Sequence, residues 1–131
     1  MTFLKTNIDT ANKKEVYRLT KGDSQKIEGL EHGLSLPVEK YALYTETKDR
    51  NKQDGTVEQY DQTVLTFTSG GYKFGTISAT FINSFMEIVE LMDGDPFAII
   101  VTGGQSKSGR KYVNCELDCD YEPAASGAAN G

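Results

Sequence analysis

The chain has 131 residues, with 14 Lys and Arg against 19 Asp and Glu and a formal net charge of −5. That length fits one domain, and the acidic balance argues against an architectural binder of duplex DNA. No apolar run approaches the roughly 18 residues needed to span a bilayer, so no membrane is expected as a partner. The N-terminus lacks the basic-then-apolar pattern of a secretory signal, and the chain reads as intracellular. Thirteen glycines and no tryptophan favour a turn-rich, strand-rich fold.

Residues 1–12 are polar and without period, which predicts an arm or frayed end. Glu15 to Leu19 reads as a short strand. Residues 21–36, with Gly22, Gly29 and Gly33, read as loop with one short strand near Ile27. Val38 to Thr47 is a strand carrying Tyr41, Leu43, Tyr44 and Thr45. A charged loop follows over 48–55, closed by Asp54-Gly55, a hairpin-type signal. Thr56 to Thr68 alternates, placing Thr63, Leu65 and Phe67 on one face. Ser69, Gly70 and Gly71 make a tight turn, and Tyr72 to Ile77 returns.

The period then changes. Apolar residues at Ile82, Phe85, Met86, Val89 and Met92 predict an amphipathic helix over 79–92. Ser78 or Thr80 can cap its start, while Gly94 and Pro96 stop it. Phe97 to Val101 is an apolar strand. A Gly- and Ser-rich turn from Gly103 carries Lys107, Arg110 and Lys111 with no acid among them. It opens into a strand over 111–119 whose Val113, Cys115, Leu117 and Cys119 share one face. Residues 121–131, rich in Ala and Gly, read as a disordered tail. The organisation is thus an N-terminal arm with a possible extra strand (1–36), a folded domain (37–120) and a tail (121–131).

Three strands, a helix and two further strands match the element order of an OB-fold, a mainly β, five-stranded Greek-key barrel with one helix between strands 3 and 4. A mixed α+β sheet with one helix across it gives a similar string. In an OB-fold the binding face is flanked by the loop after strand 1 and the loop between strands 4 and 5. Here those loops hold Lys48, Arg50 and Lys52, and Lys107, Arg110 and Lys111. Cations that merely face solvent are the competing account, and Asp49 and Asp54 dilute the first group. Bases stack on exposed rings, and the candidates are Tyr44, Tyr60, Tyr72, Phe74 and Tyr112. Tyr112 lies opposite the Val113, Cys115 and Leu117 face and should point outward. Tyr72 and Phe74 flank Lys73 on one strand face, which is a stacking platform if exterior and core if interior.

Other chemistries find little support. Cys115 and Cys119 sit about 13 Å apart along an extended strand, too far for a disulfide, and read as two small buried hydrophobes. The single histidine, His32, lies in a Gly-rich loop and reads as solvated. It weakens any Cys-His or Ser-His-Asp catalysis and, with no second Cys pair, any metal site. The Gly103–Gly109 segment precedes a strand, whereas a phosphate-binding loop must open a helix. Acid pairs at Asp93/Asp95 and Asp118/Asp120 are weak candidates for a carboxylate metal site. No catalysis, cofactor or metal is expected.

Three segments together resemble the small single-stranded DNA-binding proteins of bacteriophages, particularly phages of lactic-acid bacteria. They are Phe74 to Phe85, Phe97 to Val101, and Ser106-Lys107-Ser108-Gly109-Arg110-Lys111-Tyr112-Val113. The resemblance covers roughly residues 37–119. It implies a non-catalytic OB-fold that coats single-stranded DNA in replication or recombination, as a homo-oligomer, in the cytoplasm of an infected bacterial host. Its matching DNA contacts are Lys107, Arg110, Lys111 and Tyr112, then Lys73 and Tyr72. Many bacterial relatives end in an acidic tail tipped by an aromatic that recruits replication proteins. This chain ends in Ala, Gly and Asn, which leaves recruitment of phage or host replication and recombination proteins by that route in doubt. The competing expectations are a phage structural or assembly protein that ignores nucleic acid, and a small-ligand or enzymatic barrel.

Overall fold

Alternating apolar residues in the middle of the chain build the larger of two sheets. The computed structural model describes residues 1–105 and 107–123. The larger sheet holds β1 (Thr2–Thr6), β2 (Gln25–Lys26), β4 (Tyr41–Asn51), β5 (Val57–Ser69) and β6 (Tyr72–Thr76) in the order β1-β4-β5-β6-β2. The smaller holds β3 (Ser35–Val38), β7 (Phe97–Gln105) and β8 (Lys111–Leu117) in the order β3-β7-β8. Every pairing is antiparallel except that of β2 with β6. Only Glu39 and Lys40 separate β3 from β4. The Glu39 N–H donates to the Thr68 carbonyl (2.9 Å), and the Thr68 N–H to the Lys40 carbonyl (2.8 Å). Residues 35–51 therefore run as one bent strand serving both sheets.

Helix α2 (Ala79–Met92) has the bounds that the apolar spacing predicts. Ser78 caps it by accepting the Phe81 N–H at 3.3 Å. At its end Asp93 and Gly94 take left-handed φ values of 46° and 91°, which close the last turn. Its buried face, Phe81, Ile82, Phe85, Ile88 and Val89, fills the space between the sheets. At the centre Phe67 is fully buried, with ring centroids 5.5 Å from Phe74, 6.4 Å from Phe81 and 5.4 Å from Phe85. Phe74 is thus core, the interior alternative for the Tyr72–Phe74 face, which is not a stacking platform. Tyr72 shares its side of the strand but lies past the core, at the turn, and is exposed.

Four expectations are corrected. Residues 1–12 are not a frayed arm, because β1 pairs with β4, and Thr6 Oγ1 donates to the Tyr41 carbonyl at 2.6 Å. Residues 15–19 are not a strand but part of α1 (Lys13–Thr20). Asn12 Oδ1 accepts the Glu15 N–H (3.2 Å) as its cap, and Val16, Leu19 and Thr20 turn inward at helical spacing. Residues 48–51 are not loop, since β4 runs on to Asn51 and pairs with β5 up to Val57. The turn itself is Lys52 to Thr56, with Gly55 at φ 86°. Cys119 is exposed while Cys115 is buried, because β8 stops at Leu117 and Cys119 falls in the turn beyond.

The two sheets do not close into a barrel. The free edge of β6 is taken by β2, and the 3₁₀ turn Ile27–Gly29 touches both β6 and β8. On the outer edge of β8 the Cys115 N–H donates to Asn114 Oδ1 (2.9 Å). No helix among the described residues is long and apolar enough to cross a membrane. Of the expected tail over 121–131, residues 124–131 lie outside the described residues, as does Ser106 of the basic turn.

Burial pushes the Cys115 thiol up to about 12, which keeps it protonated and unreactive at neutral pH. Iodoacetamide at pH 8 should therefore modify the native protein once, at Cys119, and reach Cys115 only after denaturation. Mass mapping of the labelled peptides checks this, and equal labelling of both thiols in the native state would contradict the burial of Cys115.

Candidate nucleic-acid interface

The nine residues expected to contact DNA fall in three places. Lys48, Arg50 and Lys52 lie along the end of the β4–β5 ribbon and are paired with acids on that ribbon. Lys48 Nζ is 3.8 Å from Glu46, Arg50 Nη1 is 3.6 Å from Glu58, and Lys52 Nζ is 2.8 Å from Glu58. The Arg50 guanidinium also sits 4.4 Å from the Tyr60 ring centroid, so this half-buried ring is already stacked upon. Tyr44 is buried against Leu19 and Ala42, its hydroxyl directed at the Thr20 carbonyl (3.4 Å).

Lys73 and Tyr72 form the second place, on β6. Lys73 Nζ donates to the carbonyls of Arg18 (3.1 Å) and Lys21, so it ties down the C-terminal end of α1. Partial burial lowers its pKa, with Asp23 opposing. A Cβ on Gly75, the next residue but one, would lie 3.2 Å from Ser24 Oγ. Part of the outer face of the sheet, at Lys73 and Gly75, is thus covered by residues 18–24, and Tyr72 stands beside this cover, 63% exposed.

Lys107, Arg110, Lys111 and Tyr112 make the third place, at the β7–β8 turn. All four are exposed, and among the described residues none of the three cations joins an ion pair. Gly109, at φ 83°, closes the turn. Tyr112 is 46% exposed, on the side of β8 opposite buried Val113 and Cys115, as the alternation predicts.

Tyr112 pairs directly with Gly104 across the ladder. A Cβ on Gly104 would lie 3.1 Å from the Tyr112 hydroxyl, and one on Gly103 only 2.4 Å from the Tyr112 carbonyl and 2.8 Å from His32 Nε2. Two adjacent glycines therefore let two rings, Tyr112 and His32, lie close against β7. Beside them opens a groove of about 670 Å³, lined by Glu28, His32, Ser78, Gly104, Gln105 and Lys111 together with Tyr112 and Val113. It lies where the 3₁₀ turn and the entry to α2 face the β7–β8 hairpin. Glu28 and Gln105 had no functional mark in the sequence, and Ser78 was marked only as a helix cap; His32 is exposed, as expected of a loop residue, but it is also a wall of this groove. Only the Gly103-Gly104 pair signalled a close approach here. Compared with protein-family models, with curated proteins and with solved structures, the chain matches none of them.

Proposed function

We propose that this protein is a non-catalytic, sequence-tolerant single-stranded DNA-binding protein, and that the strand passes over the β7–β8 turn. The observation that carries this is the conjunction at that turn: three cations that join no ion pair among the described residues, beside an exposed tyrosine, with Lys111 and Tyr112 lining an open groove. Phosphates would meet Lys107, Arg110 and Lys111, and an unstacked base would lie on Tyr112. Such a base must be free of its complement, and the acidic remainder of the chain repels a duplex, which carries twice the phosphate charge per length.

Strand order supports an OB-type architecture for this site. The bent strand 35–51 takes the role of strand 1, and β5 to β8 take those of strands 2 to 5, with α2 between strands 3 and 4. Residues 25–29 would stand where strands 3 and 5 pair in a closed barrel. The β7–β8 turn is then the loop between strands 4 and 5. Residues 18–24 cover part of the outer face of strands 2 and 3, which shifts the weight of binding to this turn. Lys48, Arg50 and Lys52, held by Glu46 and Glu58, take a lesser part. Self-association, contact with phage or host replication and recombination proteins, and a place in the cytoplasm of an infected bacterium are proposals that rest on the family resemblance alone.

The path of the strand is testable by photocrosslinking an oligonucleotide carrying halogenated uracil and mapping the adduct by mass spectrometry. The expected adduct is Tyr112. Adducts confined to Tyr60 or to the β4–β5 ribbon would place the strand elsewhere and overturn the assignment of the site.

A further inference from the structure

The groove beside Tyr112 contains a group that a pure phosphate channel should not have. Glu28 lines it, a carboxylate in the same wall as Lys111. Its orientation is fixed from beneath. The Thr76 hydroxyl, buried at the end of β6, accepts the Ser78 N–H (3.0 Å) and donates to Glu28 Oε2 (2.9 Å). Glu28 Oε1 has no such tether among the hydrogen bonds of the described residues. A carboxylate held this way repels a phosphate and accepts hydrogen bonds from a neutral donor.

We infer that this groove is a base-reading pocket. One unstacked base per subunit lies against Tyr112 and presents its amino group to Glu28, so that bases bearing an exocyclic amine are preferred over thymine. The amines of cytosine, adenine and guanine donate to a carboxylate. Thymine offers O4 and O2, acceptors that face Glu28 unfavourably, around a single N–H. Gln105 and His32 line the same groove, and either can complete the contact to a ring nitrogen or carbonyl. Lys111, also in the wall, holds the flanking phosphate. The binding remains sequence-tolerant overall, because only one position in each bound stretch is weighed. This inference rests on the proposed single-strand binding.

The test compares oligodeoxycytidine and oligodeoxythymidine of about 12 nucleotides, a length within the range one OB-type domain covers, by fluorescence anisotropy at neutral pH. Two pyrimidines keep the stacking area similar. The wild-type protein should bind the cytidine oligomer about 5-fold or more tightly than the thymidine oligomer. Glu28→Gln, which keeps an acceptor for Thr76 but adds an amide donor, should bring the ratio close to 1 mainly by improving thymidine binding. Glu28→Ala should also remove the preference, and a thermal melt verifies that both variants fold. Salt-sensitive binding of both oligomers at equal affinity would overturn the pocket while leaving single-strand binding intact. A cytidine preference that survives both substitutions would also overturn it. Failure to bind either oligomer would overturn both the pocket and the function it rests on.

Discussion

Replacing Lys107, Arg110 and Lys111 together by alanine should weaken single-strand binding about 100-fold near 0.1 M salt. The slope of log affinity against log salt should become shallower by about 2. Both figures follow from the release of counterions, about 0.7 per phosphate neutralised on a single strand, for three contacts. The three side chains are exposed and hold no ion pair among the described residues, so the fold should lose little. The matched control is the triple alanine variant at Lys48, Arg50 and Lys52. Those cations already face Glu46 and Glu58 at 2.8 to 3.8 Å, so their release of counterions is smaller and the slope should move by less than half as much. Equal effects from the two triples would mean that net charge, and not the β7–β8 turn, governs binding.

Phe67→Ala should cost about 3–5 kcal/mol of stability. The ring is fully buried and packs on Phe74, Phe81 and Phe85, so it joins β5, β6 and α2. Three neighbouring rings on a sheet and a helix cannot collapse far into the space it leaves. A domain with only about 5–15 kcal/mol to lose would be left marginal. Urea denaturation followed by circular dichroism measures the loss. A cost below about 1 kcal/mol would mean that the aromatic cluster is not the centre of the core.

The elements that the sequence made legible are those whose own periodicity met a matching environment. Helix α2 was readable to the residue because its apolar spacing, its Ser78 cap and its Gly94 stop all agree. The alternation of β8 placed Tyr112 outside and Val113 and Cys115 inside. The N-terminal third was not legible, for a physical reason. β1 and α1 have little apolar content of their own, and they hold through partners more than 20 residues away. Thr6 and Asn7 bond to Tyr41, and Tyr44 and Leu19 share a small second core. Such tertiary contacts leave no local period. The first cationic group looked like a loop because charged residues there alternate without apolar partners. The β4–β5 ribbon persists beyond the core on cross-strand ion pairs and on the Arg50–Tyr60 contact.

The site was half legible for the same reason. Cations at a glycine-rich turn are a local signal, and so is a tyrosine on the outer parity of a strand. The groove is not local. Glu28 comes from the 3₁₀ turn and Ser78 from the entry to α2, 50 residues apart, and the pairing of β2 with β6 and the contact of the 3₁₀ turn with β8 bring them to the β7–β8 hairpin.

The most direct test of single-strand binding is a fluorescence-anisotropy titration of one labelled oligonucleotide, single-stranded and as its matched duplex, across a range of salt. The expected result is tight, salt-sensitive binding to the single strand and at least about 10-fold weaker binding to the duplex. Equal affinity for both forms, or no binding to either at low salt, would contradict it.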